Sequence, residues 1–567
     1  MCYVFTPMSW KQDASCVEWF HPWEKLLDWN PPYAKWYVGG KLNASYNCLD
    51  RQTKEAIALI WESETGAFEE WSYGKLLQEV CNFAHELKER GIEKGDAVAI
   101  YMPMIPEAVV AMLACSRIGA VHNVVFAGFA PPALHDRIVD SNAKLVITSS
   151  STHRGGKVIE LEKAARIAAQ DVPVRVYNRG ETLLQAKMPC QEMDSEDLLF
   201  FLYTSGTTGK PKGVVHSTAG YLVRATRTCQ QVFDLKPKSR YWCTADIGWI
   251  TGHTYVVYGP LSCGASVFLY EGAIEKETCW RLIEKHALEV FYTAPTAIRM
   301  FMQWGDAFPA KYDLSSLRIL GSVGEPLNPE AWEWYNAHIG KQKCPIMDTW
   351  WQTETGSIMI SPTPEMPLKA GSCAKPLPGI EARIENGKLL IDKPWPSMLR
   401  GIYNDPKRYE ETYWENGSYV TGDSARQDEE GYFWLLGRND DVINVSGHRL
   451  GSAEIESALV EYPSVAEAAV VGVPHLVKGE QIIAFVVERD DMPLDPEYEC
   501  ILKLFVAQSI SPIARPERIV KVKELPKTRS GKIIRRLLKG LIEGQEIKEI
   551  TTLANPTAIE AITAELS

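Results

Sequence analysis

Through most of the chain, short apolar runs alternate with segments of helical length. The runs at 97–101, 144–148, 174–177, 198–203, 289–293 and 318–322 read as strands, and 73–90 and 106–118 as amphipathic helices between them. Parallel neighbours need a crossover of a dozen or more residues, which a helix supplies, so this order predicts parallel sheets flanked by helices. From about 376 to 437 the pattern breaks into short β-like pieces (381–384, 388–391, 432–436) between Gly, Pro and Asn turns. That stretch predicts a small antiparallel, barrel-like subdomain. After the polar link at 438–441 come a helix (452–461), two apolar strands (466–473 and 481–488), a helix near 497–509 and a basic tail. The expected fold is α/β: a large N-terminal domain, 1–437, with its β-rich part at 376–437, then a small α+β domain, 442–567.

Composition narrows the function classes. A chain of 567 residues is too long for one core at roughly 100–200 residues per domain. Lys+Arg 60 against Asp+Glu 72 gives −12, which argues against general nucleic-acid binding and against adhesion to anionic membranes. The 13 cysteines form no C-x-x-C pair, so reduced thiols in a cytoplasmic protein are expected rather than disulfides or zinc. Residues 1–11 lack the basic start and apolar core of a signal peptide. The longest charge-free stretch, 247–270, carries His253, Pro260 and several Gly, Ser and Thr residues. It reads as buried strands and loops near a site, not as a membrane span.

Six segments carry chemistry. Directly after the apolar run 198–203 lie Thr204, Ser205, Gly206, Thr207, Thr208, Gly209, Lys210, Pro211, Lys212 and Gly213. Glycines let successive N–H groups converge on an anion, hydroxyls add donors and lysines add charge, as a triphosphate requires. Pro211 after Lys210 and the glycine spacing set it apart from a Walker A loop. Gly324, Glu325 and Pro326 form a turn after another strand. Asp348, Thr349, Trp350, Trp351, Gln352, Thr353 and Glu354 combine two tryptophans, costly to expose, with a carboxylate suited to Mg²⁺. Asp423 follows Gly422 and suits a ribose diol. Arg438 with Asp440, then Gly447 and Arg449, make the fifth segment, and the basic loop 525–532 ending in Lys532 the sixth.

In this order the segments resemble the adenylate-forming superfamily of acyl-CoA synthetases, luciferases and peptide-synthetase adenylation domains. Residues 36–51 and 242–253 resemble its AMP-forming acetyl-CoA synthetase branch in particular, so the likeness runs from about 36 to 538. The resemblance implies two half-reactions: a carboxylate attacks the α-phosphate of Mg·ATP to give an acyl-adenylate and diphosphate, and the CoA thiol then displaces AMP. It implies that 204–212 hold the β- and γ-phosphates, and that Glu354 binds Mg²⁺ with Thr353 near the α-phosphate. Gly324, Glu325, Pro326 and Asp348 to Gln352 would frame the adenine. Asp423 and Arg438 would bind the ribose, Arg449 a phosphate, and Lys532 would bridge the two anions during adenylation. It further implies a C-terminal domain that rotates about Asp440 and brings Gly447 beside pantetheine, while Arg154 and Lys157 hold the CoA 3′-phosphate. Relatives carry a base where Ala507 stands here.

Ile250, Thr251, Val323 and Trp351 match the acyl pocket. An indole at 351, where longer-chain relatives tend to carry a small residue, would end the pocket after a methyl or ethyl group. Acetate is the expected acid, with propionate or another short acid as the alternative and a carrier-loading adenylation domain as the reading from another class. Relatives are acylated at the lysine matching Lys532, which raises an acetyltransferase and a deacetylase as partners. The oligomeric state is open. A luciferase-like oxygenase would need a larger pocket, and a dinucleotide oxidoreductase a G-x-G-x-x-G that is absent.

Overall fold

The computed structural model describes residues 7–204, 212–439, 442–445, 448–475, 479–490, 492–528, 531–545 and 553–566. Two seven-stranded sheets dominate the first 400 residues. One runs in the order Val174–Val176, Leu145–Thr148, Ala97–Tyr101, Val121–Val124, Leu198–Thr204, Lys212–Ser217, Gly401–Ile402. Its first five strands are parallel and its last two antiparallel. The other runs Ile346–Asp348, Ile319–Ser322, Val290–Thr293, Arg240–Cys243, Ser266–Glu271, Ile57–Ser63, Phe68–Ser72, and only the last pair is antiparallel.

The central strands of both sheets are buried on both faces, which is why they are continuously apolar rather than alternating. In Ala97–Tyr101, Val98 and Ile100 join the large inner cluster, while Ala99 and Tyr101 join an outer one with Leu134, Leu161 and Ala165. The inner cluster also takes in Leu59, Tyr241, Val267 and Tyr292 from the second sheet. The opposite face of that sheet, with Trp242, Phe268 and Phe291, packs on the helices Thr278–His286 and Pro295–Trp304.

Two local readings are corrected. The helix Pro106–Ile118, with Pro at its start and Gly119 at φ 77° at its end, is buried at every position rather than amphipathic. Its two charges are paired: Glu107 accepts from Arg179 at 2.6 Å, and Arg117 donates to Asp50 at 2.8 and 3.0 Å. That pairing lets a helix bury its whole circumference. The stretch 247–270 is mostly helical, not strands and loops. Ile250–Gly252, His253–Tyr258 and Gly259–Ser262 wind in succession, and the only strand is Ser266–Glu271. Glycine decides this: a Cβ on Gly259 would lie 2.6 Å from Cys229 Sγ and 2.9 Å from Ala225 O, on the helix Thr218–Phe233. Close helix–helix approach thus replaces sheet pairing.

The β-rich part is an antiparallel sheet of Ala382–Glu385, Lys388–Ile391, Ser418–Gln427, Trp414–Glu415 and Phe433–Arg438, with the helix Pro406–Tyr413 inserted. The C-terminal sheet is built from His448–Gly451, Val442–Val445, Gly479–Glu488, Val465–His475 and Arg518–Lys521. Along Gly479–Glu488, Ile482, Ala484 and Val486 face one apolar cluster with Leu459 and Leu502. Ile483, Phe485 and Val487 face another with Leu538 and Ile562. Period-two alternation therefore gives this small sheet a core on each side.

Candidate functional site

The site is assembled where strands of the large body end. Strand Leu198–Thr204 pairs antiparallel with Lys212–Ser217, placing Thr204 opposite Lys212. Thr204 Oγ1 is buried without a hydrogen-bond partner among the described residues. Ser205, Gly206, Thr207, Thr208, Gly209 and Lys210 lie outside the described residues, as do Asp440 and Gly447. Lys212 Nζ donates to Glu354 Oε1 at 2.8 Å and also meets the Tyr413 hydroxyl, which itself donates to Glu354 Oε1 at 2.8 Å. Burial works to raise the Glu354 carboxyl, but Lys212 and Tyr413 outweigh it and hold it below the ordinary carboxylate range. Behind this carboxylate, His216 Nε2 donates to Thr353 O at 2.7 Å, and burial pushes that imidazole down to about 3, so it stays neutral.

The second pole is Asp423. Its Oδ2 accepts from Trp350 Nε1 at 3.0 Å and Gln352 Nε2 at 2.7 Å, while Arg438 Nη1 reaches Oδ1 at 3.2 Å and Thr421 O at 3.0 Å. Gly422 makes this possible: it sits at φ 72°, and a Cβ there would lie 2.4 Å from Arg438 Nη2. Burial raises the Asp423 carboxyl; Arg438, Trp350, Lys532 and Gln352 oppose that. Asp348, at the end of Ile346–Asp348, is pushed up to about 8 by burial alone. Thr349 Oγ1 donates to Ser322 O at 2.8 Å and lies 2.7 Å from the Tyr292 hydroxyl.

Gly324, at φ 105°, turns the chain after Ile319–Ser322 and presents Glu325 and Pro326. Glu325 accepts from Arg299 Nη2 at 2.7 Å and from Thr296 Oγ1. Burial would raise its carboxyl, yet Arg299 and Thr296 hold it low. Thr296 also lies 3.0 Å from Gly531 O, so the loop of Lys532 docks beside Glu325. The loop is closed on itself: Thr528 N donates to Lys532 O at 2.7 Å, and Lys532 N donates to Thr528 Oγ1 at 3.0 Å. Lys532 is exposed, and its charge reaches Asp423. A second contact between the large body and the C-terminal domain pairs Arg489 Nη2 with Glu330 Oε1 at 3.0 Å. Arg449 lies in the strand His448–Gly451.

Ile250, Val323 and Trp351 are buried in one apolar cluster with Tyr255 and Tyr292, and Thr251 is half-buried beside them. The Trp351 indole is fixed from two sides. Its Nε1 donates to the Tyr292 hydroxyl at 3.3 Å, and Tyr255 meets it edge-on at 4.9 Å between centroids. Arg154 and Lys157 are opposed across an exposed hairpin. Arg154 lines a cleft of about 260 Å³ together with Asp246, Glu271 and, from the C-terminal domain, Ala554.

Lys212 thus meets Glu354, and Asp423 meets Arg438, Trp350 and Gln352, while the charge of Lys532 reaches Asp423 and its loop docks beside Glu325. Arg154 and Lys157 stand apart on their hairpin. Sequence reasoning missed Tyr413, Thr296, Arg299 and His216. Each acts through another segment brought in by the fold, and none belongs to a motif of its own.

Comparison with known proteins follows this geometry. The model described as AMP-binding enzyme matches residues 48–394, AMP-binding enzyme C-terminal domain matches 454–532, and Acetyl-coenzyme A synthetase N-terminus matches 9–48. Acetyl-coenzyme A synthetase of Gemmatimonas aurantiaca is 49% identical over 98% of this chain and 92% of its own. The enzyme of that name from Pasteurella multocida is 51% identical over 96% and 91%. Among solved structures, Acetoacetyl-CoA Synthetase from Streptomyces lividans shares the fold with a TM-score of 0.87 at 24% identity, covering 98% of this chain and 92% of its own. With one family model spanning most of the chain and relatives near half identity over almost all of it, the chain belongs to the acetyl-coenzyme A synthetase family of AMP-binding enzymes.

Proposed function

We propose that these residues form the active site of an AMP-forming acetate–CoA ligase, converting ATP, acetate and CoA to acetyl-CoA, AMP and diphosphate through an enzyme-bound acetyl-adenylate. The observation that supports this reading is the pair of contacts Lys212–Glu354 and Asp423–Arg438, with the charge of Lys532 reaching Asp423. Carboxylate and α-phosphate repel each other. Lys532, approaching from the C-terminal domain, offsets that repulsion as the new C–O–P linkage forms, an electrostatic contribution on the order of several kcal/mol in a partly dry site. Asp423 and Arg438 take the ribose hydroxyls. The adenine lies between Glu325–Pro326 and the Asp348–Gln352 segment, and residues 204–212 take the departing diphosphate. Thr353 orients the α-phosphate and Arg449 contacts a phosphate.

Glu354 fits a divalent cation. It is a hard oxygen donor kept ionised by Lys212 and Tyr413. No group of three or more His, Cys, Asp or Glu side chains among the described residues would coordinate a metal unaided. A Mg²⁺ would therefore complete its shell with phosphate and water oxygens. It would supply neutralisation of phosphate charge, while Glu354 holds it and Lys212 orients Glu354.

The C-terminal domain, 442–567, then turns about the 438–441 link at Asp440. That withdraws Lys532 and brings Gly447 beside the pantetheine arm of a CoA held by Arg154 and Lys157. Lys532 is exposed on its turn and is open to a lysine acetyltransferase, with a deacetylase restoring the charge that acylation removes. No helix among the described residues is long and apolar enough to cross a membrane.

The test is carboxylate-dependent exchange of diphosphate into ATP, followed by CoA-dependent thioester formation, over acids of one to six carbons. Acetate should give the highest kcat/KM and propionate the next. Trp351→Gly should move the optimum to longer acids, each methylene being worth about 1–3 kcal/mol in a fitted pocket. Exchange without thioester formation would favour a carrier-loading domain, and an unmoved chain-length profile in Trp351→Gly would remove the pocket assignment.

A further inference from the structure

The hairpin of Arg154 and Lys157 belongs to neither large sheet. Ser151–Arg154 and Lys157–Glu160 pair only with each other, and an isolated two-stranded hairpin is marginal in water. Its outer positions, His153 through Val158, are exposed. What fixes it comes from the neighbouring sheet. The turn residues Gly155 and Gly156 sit at φ 60° and 71°, a left-handed pair that turns successive N–H groups toward one point. That point is Glu64, just beyond the strand Ile57–Ser63. Gly155 N donates to its Oε2 at 2.8 Å and Gly156 N to its Oε1 at 3.0 Å. Ala273 N, beyond the adjacent strand Ser266–Glu271, donates to the same Oε2 at 3.2 Å.

One carboxylate thus gathers three backbone N–H groups from two segments. Burial would raise the Glu64 carboxyl, but the three amides outweigh it and keep it ionised. Lower down the hairpin, Thr152 Oγ1 donates to Glu271 Oε1 at 2.6 Å. The tethered strand forms one wall of the cleft, with Thr152, His153 and Arg154 facing Tyr270 and Glu271 across it.

We propose that Glu64 is a positioning residue for CoA: by clamping the Gly155–Gly156 turn it holds Arg154 and Lys157 where they meet the 3′-phosphate, without touching substrate itself. This rests on the reading of Arg154 and Lys157 as the CoA phosphate site. Glu64→Gln keeps the shape but gives up the charge and one of the two acceptor oxygens, so the amides lose charge-assisted hydrogen bonds.

The experiment measures initial rates of the full-length enzyme against CoA and against 3′-dephospho-CoA, for the parent, Glu64→Gln, Glu64→Asp and Arg154→Ala. Glu64→Gln should raise KM for CoA about tenfold with little change in kcat. It should leave acetate-dependent diphosphate exchange within about twofold and leave KM for 3′-dephospho-CoA unchanged. Glu64→Asp, retaining the charge, should recover part of the loss. Amide hydrogen exchange at Gly155 and Gly156 should accelerate in Glu64→Gln, a readout independent of turnover. If Arg154→Ala raises KM for CoA and Glu64→Gln does not, the positioning role is wrong and the CoA site stands. If neither substitution separates CoA from its dephospho form, the CoA site itself is wrong. An equal fall in exchange and thioester formation in Glu64→Gln would make Glu64 a general structural residue and overturn the proposal.

Discussion

Glu354 and Lys532 belong to one proposed site, yet they are held in different ways. Glu354 is locked within the large body: its carboxylate, 12% exposed, is gripped by Lys212 from one sheet and Tyr413 from an inserted helix. Lys532 is exposed and sits on a self-closed loop that meets the large body through Thr296 and Gly531. One charge is built in and the other is delivered. The difference suits the proposed reaction, in which diphosphate would be handled in one place while the cation on the attacking carboxylate would withdraw before sulfur arrives.

The strongest way to break this comparison is Lys532→Ala. Exchange of diphosphate into ATP should fall by about a thousandfold, while thioester formation from supplied acetyl-adenylate stays within about tenfold of the parent. Equal losses in both half-reactions would mean that Lys532 is as fixed a part of the site as Glu354.

Lys212→Met attacks the built-in half. It leaves a buried carboxylate without its cation, at a cost of about 3–5 kcal/mol in stability at pH 8. In the parent the Glu354 carboxyl is held low, so its contribution is present above the ordinary carboxylate pKa and is lost only as pH falls through the lowered value. Without Lys212, burial raises that carboxyl, and holding it ionised becomes more costly as pH rises. The gap in thermal midpoint between parent and variant should therefore widen from pH 5 to pH 8. A gap independent of pH would detach Lys212 from the charge of Glu354.

The smallest effect sharpens the delivered half. Arg489→Glu opposes Glu330, whose carboxyl burial already pushes up to about 7 against the pull of Arg489. Exchange should fall about fivefold, as a pair worth roughly 1 kcal/mol implies. The double variant Glu330→Arg with Arg489→Glu should recover most of it. No recovery would mean that this contact does not help set the orientation that brings Lys532 in.

Much of this was legible in the sequence, for identifiable reasons. Strands buried on both faces announce themselves as apolar runs, so 97–101 and 318–322 were placed almost to the residue. Asp423 stood out as a carboxylate directly after a glycine, whereas Lys532 looked like one more solvated lysine until the family resemblance gave its Gly531 context a meaning. The helical stretch after Trp249 was misread because its glycines serve close packing rather than turns, and one-dimensional spacing does not distinguish the two. Tyr413 and Thr296 were invisible for another reason. Each lies far along the chain from the carboxylate it serves: the helix Pro406–Tyr413 carries Tyr413 to Glu354, and the parallel pairing of Val290–Thr293 with Ile319–Ser322 sets Thr296 beside Glu325. Whether an organic acid of two carbons or three fills the pocket turns on a few ångströms around Trp351, which no spacing in the chain encodes.

The C-terminal sheet keeps Ile482, Ala484 and Val486 under one pair of helices and Ile483, Phe485 and Val487 under another. Such a unit seals its own oil on both sides, and polar pairs such as Thr296 with Gly531 and Arg489 with Glu330 tie it to the large body. The turn proposed for this domain would break bonds of a kind that water replaces at once.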